Sequence, residues 1–370
     1  MGRLLSLGPT ATRKSLPAFW AEPAFVAGGV DFLWVDVAIA AMVRGEWPAF
    51  ERRLTEGLSA AARARADGVV VHDQAVESAA TAFRYDRDLI SGDEANAWLE
   101  RAGLTNDDWL GYFARDLIRK KFENELERTI DLHPASTRQL LDAAHAEGIC
   151  SGQFDGFARA LALRLALAVS VDQDLLARDG SAVAIGLDPE AARLAHLHRH
   201  WIEERSDDEV GHRFGRALLI ERAFQRAADT LATAGELQSM VEIRQIDWTC
   251  LAVESLSLAT EHAAREALLC LTIDGLSLDD VGLLARQGVT RTAGFLEDLP
   301  AEWRATLLSA ETGRPLGPLP SGERFGVAVV TEHTPPTLDD PRVHERARHA
   351  AVATAAERAA QALVHWPGTV

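Results

Sequence analysis

Residues 241–255 read VEIRQIDWTCLAVES, and residues 311–330 read ETGRPLGPLPSGERFGVAVV. Both stretches alternate apolar and polar residues, which is typical of strands with one buried face. Residues 334–366, TPPTLDDPRVHERARHAAVATAAERAAQALVHW, follow as a Pro-containing link and a long Ala-rich helix. We therefore predict an α+β chain that is mostly helical, with one small antiparallel sheet near the C-terminus whose strands cover 241–248 and 324–331.

The composition and net charge of the chain indicate which classes of binding partner to expect. The chain has 370 residues, enough for two or three domains, and a net charge of −17. An acidic chain lacks the basic footprint that DNA or RNA binding needs, but it can attract a basic peptide. The N-terminus shows no signal-peptide pattern, and no apolar run reaches the roughly 18 residues of a membrane span. We expect a cytoplasmic protein with neither a membrane nor a nucleic acid as partner.

Metal and disulfide chemistry is not expected. The cysteines are widely spaced, odd in number and form no CxxC pair: Cys150, Cys250 and Cys270. His196, His200 and Glu204 are spaced i, i+4 and i+8 on a predicted helix, which could place them on one metal-binding face. A solvated polar face explains the same spacing, and no HExxH motif accompanies it. We therefore predict no metal site and no cofactor.

The N-terminal part shows clear helix boundaries. Ser91-x-x-Glu94 and Thr105-x-x-Asp108 have the spacing of capping boxes, and Gly103 between them predicts a helix end. Further helices are expected over 135–146 and 153–168, with a loop or hairpin at 178–190. Residues 189–232 loosely echo residues 74–125, so a duplicated helical hairpin is one interpretation of this region.

Two stretches resemble one family. Residues 83–122, FRYDRDLISGDEANAWLERAGLTNDDWLGYFARDLIRKKF, resemble the N-terminal helical domain of SurA-type chaperones. The C-terminal third resembles the parvulin (PpiC) prolyl-isomerase domain of that group, with the return helix that follows it. The resemblance implies a SurA-like helical peptide-binding region over 1–237 and a parvulin-like domain over 238–333. It also implies that residues 334–370 form a link and a helix that packs back on the N-terminal region.

The same resemblance implies a peptide-binding site that lacks the residues needed for prolyl-isomerase catalysis. Gln245 and Ala328 stand where the family has two core histidines, and glutamine cannot titrate near neutral pH. Leu299 and Trp303 stand where the family has its apolar floor for proline, although Trp303 could equally cover the seam between helix and sheet. With the adjacent Asp247 and the Phe325 of the family's FG pair, the predicted peptide-binding residues are Gln245, Asp247, Leu299, Trp303, Phe325 and Ala328. No catalytic residue is predicted.

Two functions follow as hypotheses. The first is a chaperone-like protein, a pseudoenzyme that holds an extended precursor peptide for modifying enzymes. Such a role is similar to that of cytoplasmic PpiC-like proteins of ribosomal-peptide natural-product (RiPP) biosynthesis. The alternative is an enzyme, either an active peptidyl-prolyl cis-trans isomerase or a peptide-modifying enzyme on the same scaffold. Loss of both histidines favours the first hypothesis.

Overall fold

The chain forms two compact units. A computed structural model describes residues 13–177, 189–202 and 206–367. One unit combines Met1–Asp229 with Ala355–Val370, and the other comprises Thr230–Thr354. The loop or hairpin expected at 178–190 lies almost entirely outside the described residues.

The first unit is mainly helical. Its helices are α1 (Leu16–Trp20), α2 (Trp34–Val43), α3 (Trp47–Ala66), α4 (Asp73–Asp86), α5 (Gly92–Ala102), α6 (Asn106–Lys121), α7 (Leu126–Leu132), α8 (Thr137–Cys150), α9 (Gln153–Val171), α10 (Pro189–Leu197) and most of α11 (Asp207–Leu231). Short 3-10 turns occupy Glu123–Glu125, Gln173–Leu176 and Arg199–Trp201. Both predicted capping boxes are present, and Gly103 ends α5 in the left-handed conformation at φ 65°.

A second small sheet, besides the one predicted near the C-terminus, belongs to this unit. Strands β1 (Pro23–Ala27) and β2 (Val30–Leu33) form a hairpin, and β7 (Val364–His365) pairs antiparallel with β1. The apolar core beneath it is rich in aromatic rings, with Phe19 stacked on Trp34 at 5.1 Å and Trp47 against Trp201 at 5.2 Å. Such ring pairs add roughly 0.5–1.5 kcal/mol beyond the apolar area they bury.

The second unit contains a four-stranded antiparallel sheet in the order β4-β3-β6-β5. Its strands are β3 (Cys250–Leu258), β4 (Val289–Phe295), β5 (Pro315–Ser321) and β6 (Arg324–Thr334). Its helices are α12 (Ala234–Ile243), α13 (Glu261–Thr272), α14 (Leu278–Ala285) and α15 (Ala301–Leu308), with a 3-10 turn at Leu296–Asp298. Apolar residues of α13 and α14 cluster with one set of sheet side chains, and those of α15 with another.

The predicted first strand, 241–248, is wrong. Thr233 accepts a hydrogen bond from the N–H of Glu236 and begins α12, which continues to Ile243. Leu237 and Val241 are buried at helical spacing together with Trp248, so helical packing overrides the alternation of VEIRQID. The strand begins later, at Cys250. The second predicted strand, 324–331, is confirmed by β6.

The final helix, α16 (Pro341–Leu363), takes part in both units. Val343, Ala347 and Ala351 pack in a cluster of the second unit, whereas Val364, directly after the helix, lies in the core of the first. The prediction of a mostly helical α+β chain is confirmed. The predicted domain boundaries follow residues 237 and 333. The two compact units instead divide after residues 229 and 354.

Candidate functional site

Three of the predicted peptide-binding residues lie together. Leu299, Trp303 and Ala328 belong to one apolar cluster of the second unit. Ala328 is fully buried, so its side chain is not accessible to a ligand. The indole N–H of Trp303 donates to the carbonyl of Pro320, and its ring lies where a side chain at Gly326 would collide. Trp303 therefore covers the sheet, which is the packing alternative stated for it.

The other three residues lie elsewhere in this unit. Phe325 packs against the cluster that includes residues of α13 and α14. Gln245 and Asp247 are in the turn after α12 rather than on a strand, because the helix occupies the region predicted as strand. The carboxylate of Asp247 accepts a hydrogen bond from Arg244 at 3.0 Å. Of the six predicted residues, Leu299, Trp303 and Ala328 share this apolar cluster, and Gln245, Asp247 and Phe325 do not belong to it.

Strand β4 presents an open edge. Its residues Thr290–Ala293 are all exposed, and among the described residues it pairs with β3 alone. The N–H of Leu296 donates to the carbonyl of Thr249 at 2.9 Å, and the same register pairs Thr292 with Val253. Hydrogen-bonded and non-bonded pairs alternate along an antiparallel ladder, so Thr292 directs its backbone groups toward β3. The backbone groups directed away from β3 belong to Val289, Arg291 and Ala293.

The opposite edge is different in chemistry. Strand β5 carries Pro315, Pro318 and Pro320, which have no N–H to donate. Prolines are among the devices that prevent an edge strand from pairing with another chain. Strand β4 contains no proline. Of the two edges of this sheet, β4 is the one that retains a complete set of backbone donors.

Exposed apolar side chains flank the start of β4. Leu283 and Leu284, near the end of α14, are 79% and 72% exposed. A Cβ placed on Gly282 would lie 3.3 Å from Val289, so the end of α14 is adjacent to the first residue of β4. An extended segment added to this edge would find apolar contacts next to the backbone donors.

The first unit contains a cavity of about 560 Å³. It lies between the sheet, α9 and the end of α16, and the indoles of Trp34 and Trp366 are part of its wall. Its polar lining consists of Asp155, Arg159, Glu357 and Gln361. Arg159 donates to Glu357 at 2.6 Å, which connects α9 to α16. Nothing in the sequence predicted this site, because its residues come from segments about 200 positions apart.

The histidines expected on one helical face are separated. Helix α10 ends at Leu197, so His196 is on the helix while His200 lies in the following 3-10 turn. Glu204 is outside the described residues. Across residues 13–177, 189–202 and 206–367, no group of three or more His, Cys, Asp or Glu side chains is arranged to hold a metal ion. Cys150, Cys250 and Cys270 are free thiols.

The described helices include none that is long and apolar enough to cross a bilayer. Comparison of the sequence with models of known protein families and with curated proteins yields no match. The resemblance to the SurA and parvulin domains therefore remains a prediction from the residues themselves.

Proposed function

We propose that this protein holds an extended precursor peptide for modifying enzymes and does not itself catalyse a reaction on it. The observation that carries the proposal is the contrast between the two edges of the second unit's sheet. The β4 edge is exposed and complete in donors, whereas the β5 edge is blocked by prolines. A peptide that adds to β4 as a strand gains main-chain hydrogen bonds independent of its sequence.

The apolar face near the predicted isomerase centre supports the absence of catalysis. Ala328 is packed with Leu251 and Val253 in a cluster of apolar side chains. The barrier to rotation of an amide is about 18–20 kcal/mol, and lowering it requires polar groups around the twisting bond. Gln245, the other residue aligned with a family histidine, lies in a turn outside the strands. Residual acceleration of proline-limited refolding would contradict this part of the proposal.

A pair of proline substitutions tests the edge. Ala293→Pro removes an N–H that faces away from β3, so the sheet should remain intact while strand addition is blocked. We expect at least about a tenfold loss of affinity for a precursor peptide encoded beside the gene, measured by calorimetry, since 1.4 kcal/mol corresponds to a factor of ten. Thr292→Pro is the matched control, because it removes a bond to β3 and should destabilise the sheet itself.

Hydrogen exchange locates the bound peptide independently. Added peptide should slow the exchange of the outward amides of Val289, Arg291 and Ala293 but leave β5 unchanged. Undiminished affinity of the folded Ala293→Pro variant would rule out strand addition at β4. In that case Trp303→Ala, which tests the site predicted from sequence, becomes the decisive variant.

A further inference from the structure

The cavity of the first unit has one carboxylate that the protein leaves largely uncompensated. Asp155 lies in the first turn of α9 and lines the cavity. Its ion-pair partner is Arg87, whose Nη2 atom is 4.0 Å from the carboxylate, at the limit of a salt bridge. Although half of the Asp155 side chain is accessible, burial among surrounding atoms raises the pKa of its carboxyl group, and Arg87 opposes this only in part.

Arg87 also contacts two aromatic rings. Its guanidinium stacks over the ring of Phe83 at 4.2 Å and lies 5.7 Å from the ring of Trp98. These cation–π contacts engage the guanidinium of Arg87, and Arg87 is not among the residues that line the cavity. Asp155 therefore retains acceptor capacity toward the cavity.

The other charges of the lining cancel each other. Arg159 and Glu357 form a direct ion pair, so they contribute no net charge. With Asp155 the lining carries a net charge of −1, and the chain as a whole is acidic. Asp155 is therefore the lining carboxylate that can pair with a cationic ligand, in addition to its 4.0 Å contact with Arg87.

The aromatic walls of the cavity favour an apolar ligand group next to the cationic one. Trp34 is buried and stacked on Phe19, which makes it a rigid surface. Trp366 is 46% exposed, and its ring lies 5.4 Å from the ring of Phe25 in a tilted arrangement, so part of the indole remains accessible. Ala158 and Ala162 line the cavity from α9 with small apolar side chains. The volume falls within the roughly 300–1,000 Å³ typical of ligand pockets.

We infer that this cavity binds a peptide segment in which a large apolar residue stands next to an arginine or lysine. The apolar side chain packs against Trp34 and Trp366, and the cationic group pairs with Asp155. The inference rests on the proposed peptide-holding function, because it names a residue pair that the held peptide carries. It concerns a site separate from the β4 edge.

Two capped dipeptides test the inference with the full chain. N-acetyl-Phe-Arg-amide and N-acetyl-Phe-Gln-amide differ in charge but share the aromatic ring, and both are too short to add as a strand to β4. By calorimetry at low salt the arginine peptide should bind about tenfold more tightly, the factor that 1.4 kcal/mol corresponds to. The difference should shrink as salt is raised, because the pair is partly exposed.

Variants assign the effect to the cavity. Asp155→Asn should abolish the preference for arginine, and Trp366→Ala should weaken both dipeptides. Asp131→Asn, an exposed carboxylate of α7 outside the cavity, should change neither. Equal binding of the two dipeptides, no binding of either, or a preference that survives Asp155→Asn in the folded protein would overturn the inference. Ala293→Pro should leave dipeptide binding intact, so failure at the β4 edge and failure at the cavity are distinguishable.

Discussion

Gly326 lies directly beneath the indole of Trp303. A Cβ atom at this position would be 2.7 Å from both Cη2 and Cζ2 of the ring. We predict that Gly326→Ala forces the indole off the sheet and destabilises the second unit by about 1–3 kcal/mol, the usual effect of overpacking. Amide exchange of β6 measures the loss. Gly288→Ala, where a Cβ meets no atom within 4 Å, should leave it unchanged.

His145 is buried and neutral in the core of the first unit. Its ring stacks on Phe19 at 4.2 Å, and burial lowers its pKa from 6.5 to about 4, opposed only in part by a backbone hydrogen bond with Ala102. Below about pH 6.5 the unfolded chain takes up a proton that the folded chain does not. The contribution of neutral His145 to the free energy of unfolding is therefore fully present above about pH 6.5. Between that pH and pH 4 it falls by at most about 1.4 kcal/mol per pH unit.

Two histidine variants test whether His145 causes this pH dependence of stability. Urea unfolding of His145→Leu should lose this contribution between pH 6.5 and 4. His72→Gln, which changes an exposed histidine, should retain it. A slope that persists in His145→Leu would assign the proton uptake to other groups.

Helices α3, α6 and α8 are connected by a buried ionic network. Arg53 of α3 donates to Glu147 of α8 at 2.9 Å and to Asp116 of α6 at 2.8 Å. Glu147 is only 5% exposed, and Arg115 reaches it no closer than 4.0 Å. We predict that Arg53→Met costs about 3–5 kcal/mol of unfolding free energy, because it leaves a buried charge poorly paired.

A double variant separates the charge from the packing. Arg53→Met with Glu147→Leu removes both members of the pair and should recover most of the stability in urea denaturation. If the double variant is as unstable as the single one, the contribution of Arg53 comes from its contacts with the helices and not from Glu147.

At the scale of the whole molecule, the first part of α16 contributes buried residues to the second unit, and the residues at its end contribute to the first. Ending the chain at residue 338 removes Val343, Ala347 and Ala351 from the second unit and Val364 from the first. Burial of a valine side chain contributes about 1.5–3 kcal/mol, so hydrogen-exchange protection should fall in both β1 and β3. Ending it at 354 should lower protection in β1 alone. Unchanged protection of β1 after either truncation would contradict the role of β7 and the helix end.

The sequence by itself determined the local elements whose signals are contained in a few neighbouring residues. Ser91 and Thr105 begin their helices with the predicted caps, and Gly103 ends one, because a cap needs only groups within one turn. The alternation of residues 324–331 also predicted strand β6. The predicted helices and strands together indicated the mostly helical α+β fold class.

Only the tertiary structure decided which face and which edge each element presents. Residues 241–243 alternate like a strand, yet burial of Val241 beside Leu237 and Trp248 makes them helical. The open edge of β4 depends on which strands are its neighbours, and the cavity near Asp155 depends on contact between α9 and residues 355–367. Strand order and long-range burial are sums over contacts between distant segments, and no local pattern of apolar and polar residues contains them.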